Sequence, residues 1–256
     1  PRPGQVIHYD IAIERFIRQG DVYLFFFCFQ GSIDGRPVVT MRDGCAGFFT
    51  PEEIRDSGGI VLTAEERKPA AGRRPDDWSE LVPMAVESYD EKQIDALRNG
   101  DLAGCFGSAF AGLDLQNPPR LPGGRMRLVH RVARIDPRGG RYGMGLIRAE
   151  ADIHPDDWFL TCHFVDDMVM PGTLMYECCL HTLRIYLLRM GWIGEHDQIA
   201  YEPLPGIWSE LRCRGPVTPQ TRMVTYEVQI KEFGYNPEPY VIADAFMYSD
   251  DKMTVY

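Results

Sequence analysis

His163 and Glu177 are the two residues of this chain whose types and surroundings best fit proton-transfer chemistry. His163 ends an apolar run, and Glu177 is the one carboxylate within residues 173–190. An imidazole titrates near neutral pH, and a buried carboxylate without a partner is energetically costly. Pro171 and Gly172 lie between them and suit the start of a helix, whose free amides favour negative charge. We therefore predict an acid–base pair that flanks the first turn of a buried helix.

The helix that must carry Glu177 is predicted over residues 173–190. Nearly every position is apolar or small, and no polar stripe is wide enough to face water. A helix of this composition is buried on most sides. Gly191 follows it and is the residue type that ends many helices. We expect this helix to form the centre of the core.

Strands are predicted on both sides of this helix from alternating polar and apolar residues. Antiparallel strands that cover a helix on several sides indicate an α+β fold in which a curved sheet wraps around it. The predicted strands cover residues 6–16, 21–30, 36–41, 125–135, 141–153, 209–214, 222–232, 240–248 and 253–256.

The first three strands and the last three share one register at a constant offset, which indicates an internal repeat. The alternative is that any two trios of antiparallel strands look alike. The matched pairs are Tyr9 with Tyr226, Ile13 with Ile230, Phe16 with Phe233 and Tyr23 with Tyr240. We therefore predict that residues 1–48 are the C-terminal strands of a first repeat and that residues 88–256 are a complete second repeat.

Residues 49–87 are predicted to connect the two repeats. Thr50 and Thr63 each precede a Glu by three residues, which is a signature of helix starts. Residues 67–77 are polar and rich in Pro, Arg and Gly, which predicts an exposed linker. A third start signature, at residues 88–91, is expected to open the first helix of the second repeat.

Composition excludes several classes of protein. The net charge of −10 argues against nucleic-acid binding, because such affinity comes largely from neutralising phosphates. Charged residues interrupt the long helix, so no membrane span is expected. The seven Cys show no metal-type spacing and are interpreted as core thiols of a cytoplasmic protein. Asp166 and Asp167 fit a surface loop better than a metal site, and no metal is predicted.

Residues 154–177, HPDDWFLTCHFVDDMVMPGTLMYE, resemble the active-site segment of hotdog-fold 3-hydroxyacyl-(acyl carrier protein) dehydratases, especially the 3-hydroxydecanoyl type. The continuation to residue 188 looks closer to dehydratase domains of polyunsaturated fatty acid and polyketide synthases. Residues 89–107 and 224–233 extend the similarity over residues 88–256. The resemblance implies a hotdog fold, here in a double-hotdog arrangement with one whole repeat and the last strands of another.

The resemblance also implies roles for individual residues. It places the catalytic histidine at His163, the catalytic acid at Glu177 and the amide that holds the thioester carbonyl at Gly172, with Thr173 beside it. The implied reaction dehydrates a 3-hydroxyacyl thioester to the 2-enoyl thioester. The substrate is carried on the phosphopantetheine arm of an acyl carrier protein, and no metal or redox cofactor is needed.

Some features leave alternatives open. The family's active sites are composite, so a second hotdog repeat or subunit is an expected partner. Asp166 and Met168 replace the family's Gly and Pro, which leaves the identity of the substrate open. Phe164 and Trp208 are predicted to line an acyl tunnel, with core packing as the alternative. A hotdog thioesterase and a catalytically silent hotdog remain rival functions.

The remaining histidines and the arginine-rich strands have less specific interpretations. His130 and His154 are expected to be structural or exposed, and His181 is expected to line the core. The arginines of residues 120–148 form either a solvated face or a basic surface on which an acidic carrier protein docks.

Overall fold

The computed structural model describes residues 2–164, 166–194 and 199–256. These residues form two compact units, one ending at Ser57 and the other running from Gly58 to Tyr256. The structure therefore places the boundary inside the predicted connector, at its N-terminal third. Membership of the first unit in a preceding hotdog repeat stays a prediction.

The first unit is a three-stranded antiparallel sheet in the order β1-β2-β3, followed by one short helix. All three predicted strands are present, and the third runs seven residues further than expected. Thr50 caps the helix in a capping box with Glu53, as its sequence signature predicts. The elements are β1 (His8–Gln19), β2 (Val22–Ile33), β3 (Arg36–Phe48) and α1 (Pro51–Asp56).

The second unit contains a six-stranded antiparallel sheet in the order β4-β5-β6-β7-β8-β9. Its strands are β4 (Glu87–Tyr89), β5 (Arg131–Asp136), β6 (Leu146–Asp152), β7 (Met223–Gly234), β8 (Tyr240–Ser249) and β9 (Lys252–Val255). Its helices are α2 (Ala64–Arg67), α3 (Glu91–Arg98), α4 (Leu102–Phe106), α5 (Trp158–Cys162) and α6 (Gly172–Arg189), with 3-10 turns at Ser108–Phe110 and Gly124–Met126.

Helix α6 is the centre of the second unit, as its composition predicts. It packs on β6, β7, β8 and β9, and most of its side chains are buried. Pro171 is its N-cap, and Gly191 follows its end with a φ of +98°, a conformation that glycine adopts without strain. A sheet that contacts one apolar helix with four of its strands gives the α+β arrangement expected from the sequence.

The predicted exposed linker at residues 67–77 also packs partly on the second unit. The Arg73 amide donates to the Lys231 carbonyl, the Phe233 amide donates to the Arg73 carbonyl, and the Arg73 side chain pairs with Glu232. Trp78 then stacks on Phe233, with ring centroids 4.5 Å apart. Most of residues 67–77 are exposed, as predicted, and the backbone pairing with β7 is a feature that Pro, Arg and Gly content could not indicate.

Two further local predictions need correction. The third helix start uses Asp90 and Gln93 as its capping box, because residues 87–89 are taken into β4. The strand predicted at residues 209–214 is reduced to a single bridge between Cys213 and Val255. Backbone hydrogen bonds still join this segment to the edge of β9, so it lies alongside the sheet.

Candidate active site

His163 lies at the C-terminal end of α5 and is half-buried. Its Nδ1 is 3.2 Å from the carbonyl oxygen of Val169. A carbonyl oxygen can only accept, so the proton of a neutral ring belongs on Nδ1, and Nε2 keeps its lone pair. The ring also stacks on Phe164, with centroids 4.1 Å apart. These two contacts fix the orientation and the tautomer of a potential general base.

The first turn of α6 offers backbone amides. The amides of Leu174 and Met175 donate to the Pro171 carbonyl, whereas those of Gly172 and Thr173 have no acceptor within the helix. No side chain of the N-cap residue binds them. Two uncapped amides at the positive end of a long helix suit an oxygen that gains negative charge.

Gly172 is needed for close packing at this helix start. A Cβ atom placed on Gly172 would lie 2.9 Å from Sγ of Cys213, closer than such contacts normally come. Cys213 belongs to the segment that runs along β9. The same segment approaches α6 again at Ser209, whose Oγ is 3.5 Å from the hydroxyl of Tyr176. The segment from 209 to 213 therefore lies against the amide-bearing turn.

Glu177 is less buried than predicted, because 31% of its side chain is exposed. Its Oε1 is 3.0 Å from Nε2 of His181 and 3.5 Å from Nη2 of Arg184. These three residues follow one another at spacings of four and three, which places them on one face of α6. Pairing with an arginine is the alternative to a catalytic role for Glu177, and the structure contains this ion pair. The catalytic role stays a prediction.

His181 was expected to line the core, and it is only 1% exposed. Burial, followed by the positive charges of Arg184 and Arg98, lowers the pKa of His181 to about 4, so its ring is neutral near pH 7. The contact with Glu177 lacks hydrogen-bond geometry, and neither ring nitrogen has a hydrogen-bond partner in the described part of the chain. Sequence reasoning missed this neighbour of Glu177, although the i, i+4 spacing was a usable signal.

His163 and Glu177 are not joined to each other. Across residues 2–164, 166–194 and 199–256, no hydrogen bond or ion pair links the two side chains. His163 is held by the loop before α6, whereas Glu177 is held by its own helix. A single chain therefore does not assemble them as a direct pair.

Phe164 and Trp208 are 56% and 54% exposed, so the alternative of core packing is wrong for both. Exposed apolar side chains continue on the same two segments, at Met168 and Ile207. Both segments flank the start of α6. The predicted role of Phe164 and Trp208 in lining an acyl tunnel stays a prediction.

A cavity of about 450 Å³ opens beside Arg184. Arg184 lies over the ring of Tyr201, 5.1 Å from its centroid, and so connects the cavity to Glu177. The remaining lining residues are Asn117, Pro118, Pro119, Arg120 and Ile199. Sequence reasoning did not predict this cavity, because its walls come from distant loops.

Some arginines of residues 120–148 form ion pairs within the described part of the chain. Arg127 pairs with Glu91 and Asp95, and Arg131 pairs with Glu150 and Asp152. These partners lie far away in sequence or on a neighbouring strand, so a count of local charge did not show them. These pairs fit a solvated face, whereas docking of an acidic carrier protein on the other arginines stays a prediction.

Other expectations concern thiols, metals and membranes. Cys105, Cys178 and Cys179 are buried thiols, but Cys45 and Cys213 are exposed, so the assignment of all cysteines to the core was wrong. No group of three His, Cys, Asp or Glu side chains could share a metal ion among the residues described. Within the same residues, no helix is long and apolar enough to cross a membrane.

Comparison with known proteins identifies the family. Residues 121–256, just over half of the chain, match the model of the FabA-like domain. The chain belongs to the FabA-like domain family. This membership confirms the hotdog-dehydratase resemblance and the α+β hotdog class expected from the sequence.

One relative of this FabA-like chain is a subunit of the polyunsaturated fatty acid synthase of Thraustochytrium sp. (strain ATCC 26185 / S-3). The two are 35% identical over 254 residues, which cover 94% of this chain and 16% of the relative. The chain thus spans about one sixth of the length of that protein. Both matches support a dehydratase-type enzyme of the polyunsaturated fatty acid or polyketide synthase kind.

Proposed function

We propose that this chain dehydrates 3-hydroxyacyl thioesters, carried on an acyl carrier protein, to 2-enoyl thioesters. The observation that carries the proposal is the contact of His163 Nδ1 with the Val169 carbonyl, in a FabA-like domain whose helix α6 starts with uncapped amides. A base with a free lone pair next to an oxyanion-binding turn suits proton removal beside a thioester carbonyl. The synthase relative favours a substrate delivered on a phosphopantetheine arm.

The first step is removal of a proton from the carbon next to the thioester carbonyl. Nε2 of His163 accepts this proton, and the Nδ1 proton stays on the bond to Val169. A positioned general base of this kind typically accelerates a reaction by about 10²–10⁴-fold. Once Nε2 has accepted the proton, Nδ1 still donates its hydrogen bond to the Val169 carbonyl and so keeps the ring in place.

Negative charge then develops on the thioester oxygen. The amides of Gly172 and Thr173 donate to that oxygen, and the helix dipole of α6 adds to their effect. Loss of one such donor costs about 3 kcal/mol of transition-state stabilisation in other enzymes.

Glu177 completes the reaction by protonating the leaving hydroxyl at C3. The C–O bond breaks, water leaves, and the electron pair of the former C–H bond forms the C2–C3 double bond. Glu177 has no direct link to His163 within one chain. In the proposed active sites, a second hotdog repeat or subunit therefore supplies the acid that acts with His163, and the histidine that acts with Glu177. No metal or redox group takes part in these steps.

Incubation of the chain with a 3-hydroxyacyl thioester tests the proposal. We expect the enoyl thioester as product, and His163→Ala should lower its rate by about 10²–10⁴-fold. His154→Ala is the matched control, because His154 is exposed and lies on the same approach to α5. Release of free thiol would instead identify a thioesterase, and equal product with and without His163 would identify a silent hotdog.

A further inference from the structure

Arg184 of α6 lines the cavity of about 450 Å³, and its hydrogen-bond donors are not used within the described part of the chain. Its Nη2 is 3.5 Å from Oε1 of Glu177, an ion pair that is too long for a strong hydrogen bond. A guanidinium group carries five N–H donors. Because 25% of the Arg184 side chain is exposed, these donors remain accessible to a ligand.

Arg120 lines the same cavity from the loop that follows α4. Among the residues that the structure describes, no carboxylate pairs with it. Its Nε would lie 3.3 Å from a Cβ atom placed on Gly100, so the side chain runs against the end of α3. Pro118 approaches Gly100 still more closely, at 2.8 Å. This packing holds the loop in place before a ligand arrives, which lowers the entropic cost of binding.

The charges around the cavity are unbalanced. Its described lining contains two arginines and no Asp or Glu. Glu177 reaches Arg184 but is not part of the lining, so it offsets only one of the two positive charges. Arginine binds carboxylate and phosphate groups through two parallel N–H donors. The cavity therefore suits an anion.

The other walls of the cavity favour an anion with an apolar body. Pro118, Pro119 and Ile199 supply aliphatic surface. The ring of Tyr201 adds aromatic surface, with Arg184 held 5.1 Å from its centroid. An inorganic anion would leave these walls in contact with water, whereas a hydrocarbon chain would cover them. The volume of about 450 Å³ lies within the range of small-molecule sites.

We propose that this cavity binds a small monocarboxylate with an apolar body, and that Arg120 and Arg184 hold its carboxylate. The bound carboxylate competes with Glu177 for Arg184, so ligand binding and the ion pair oppose each other. Glu177 is the acid of the proposed dehydration, and an effect of the ligand on turnover thus rests on the proposed function. The binding itself does not.

Titration with hexanoate tests the proposal. The side-chain Nε–H resonances of arginine are followed by NMR at constant ionic strength, and the two relevant signals are assigned by their loss in Arg120→Met and Arg184→Met. We expect both signals to shift saturably, with a dissociation constant of about 1 mM or tighter. Hexanol and inorganic phosphate should bind at least about tenfold more weakly, because each lacks one of the two required features.

Substitutions locate the site. Arg120→Met and Arg184→Met should each weaken hexanoate binding at least about tenfold, the loss expected for a charge-assisted hydrogen bond. Arg138→Met makes the same change in the exposed turn between β5 and β6 and should keep the parent affinity. Glu177→Gln removes the competing carboxylate and should tighten binding about two- to fivefold.

Three results would overturn the proposal. Unchanged affinity in Arg184→Met would refute the site, and equal or tighter binding of hexanol or phosphate would refute the ligand class. Loss of hexanoate binding in His163→Ala would place the ligand in the candidate active site instead of this cavity. None of these measurements depends on turnover, so a chain that binds hexanoate without forming enoyl thioester would contradict the proposed function alone.

Discussion

Nδ1 of His163 lies 3.2 Å from the carbonyl oxygen of Val169, six residues further along the chain. This contact closes the loop between α5 and α6 and decides which ring nitrogen is free to act. The conformation of this loop and the orientation of His163 therefore depend on the same contact, and a substitution at residue 163 affects both.

His163→Asn should separate these two effects. The amide of Asn can still donate to Val169, so we expect its free energy of unfolding to stay within about 0.5 kcal/mol of the parent, whereas His163→Ala should lose about 1 kcal/mol. Both variants lack the base and should lose dehydration by about 10²–10⁴-fold. Urea unfolding together with enoyl formation measures the two effects. An active Asn variant would contradict the role of Nε2.

Gly172→Ala should lower the turnover number by about tenfold, because its methyl group meets Sγ of Cys213 and displaces the amide-bearing turn. Cys213→Ala removes the opposing sulfur and should restore most of the activity in the double variant. Cys213→Ala alone is the control and should react at the parent rate. Activities of all four proteins form a double-mutant cycle, and additive effects would show that the contact is irrelevant.

His181 should make stability depend on pH. Its pKa is lowered to about 4, mainly by burial, against about 6.5 in the unfolded chain, so the unfolded state binds more protons between these values. The contribution of His181 to the free energy of unfolding is fully present above about pH 6.5 and decreases as the pH falls below that value. Between about pH 7 and about pH 5 the loss should be about 2 kcal/mol.

The His181→Gln variant checks this assignment, since it cannot titrate. Urea unfolding at several pH values should give a flatter profile for this variant than for the parent. His154→Gln is exposed and should keep the parent slope. Identical slopes in parent and His181→Gln would assign the pH dependence to other groups.

Arg189→Met should destabilise the second unit by about 3 kcal/mol. Arg189 is 5% exposed and donates to Glu87, Tyr89 and the Pro83 carbonyl. Burial alone would raise the pKa of Glu87, but hydrogen bonds from Arg189 and Tyr89 lower it, so loss of Arg189 leaves a poorly compensated carboxylate. Arg134→Met breaks an exposed pair with Asp136 and should cost at most about 1 kcal/mol. Thermal unfolding of both variants measures the difference.

The central helix and the strands were predictable because their signals are local. An uninterrupted apolar stretch bounded by Pro171 and Gly191 admits few alternatives to a buried helix. The same local reasoning failed where distant residues meet. Arg73 pairs with Glu232 across most of the chain, and no composition of residues 67–77 contains that information.

The partial exposure of Glu177 shows a second limit of prediction from the sequence. Its apolar neighbours suggested full burial, but Glu177 and Arg184 share one face of α6 and leave 31% of the carboxylate side chain exposed. The sequence shows which residues share a helix face, whereas the direction of that face depends on the sheet and loops around it. The predicted roles of His163, Gly172 and Thr173 rest on the family motif and on the geometry of the first turn.

The sheets of the two units share a backbone irregularity. The β1–β2 ladder shifts register between Ile13 and Arg15, and the β7–β8 ladder shifts between Ile230 and Glu232. Beside these shifts, Phe27 pairs with Ile13 and Ala243 pairs with Ile230, so side chains of very different volume accompany the same strand path. A hairpin exchanged between the two sheets should therefore keep its backbone conformation before its surroundings are repacked.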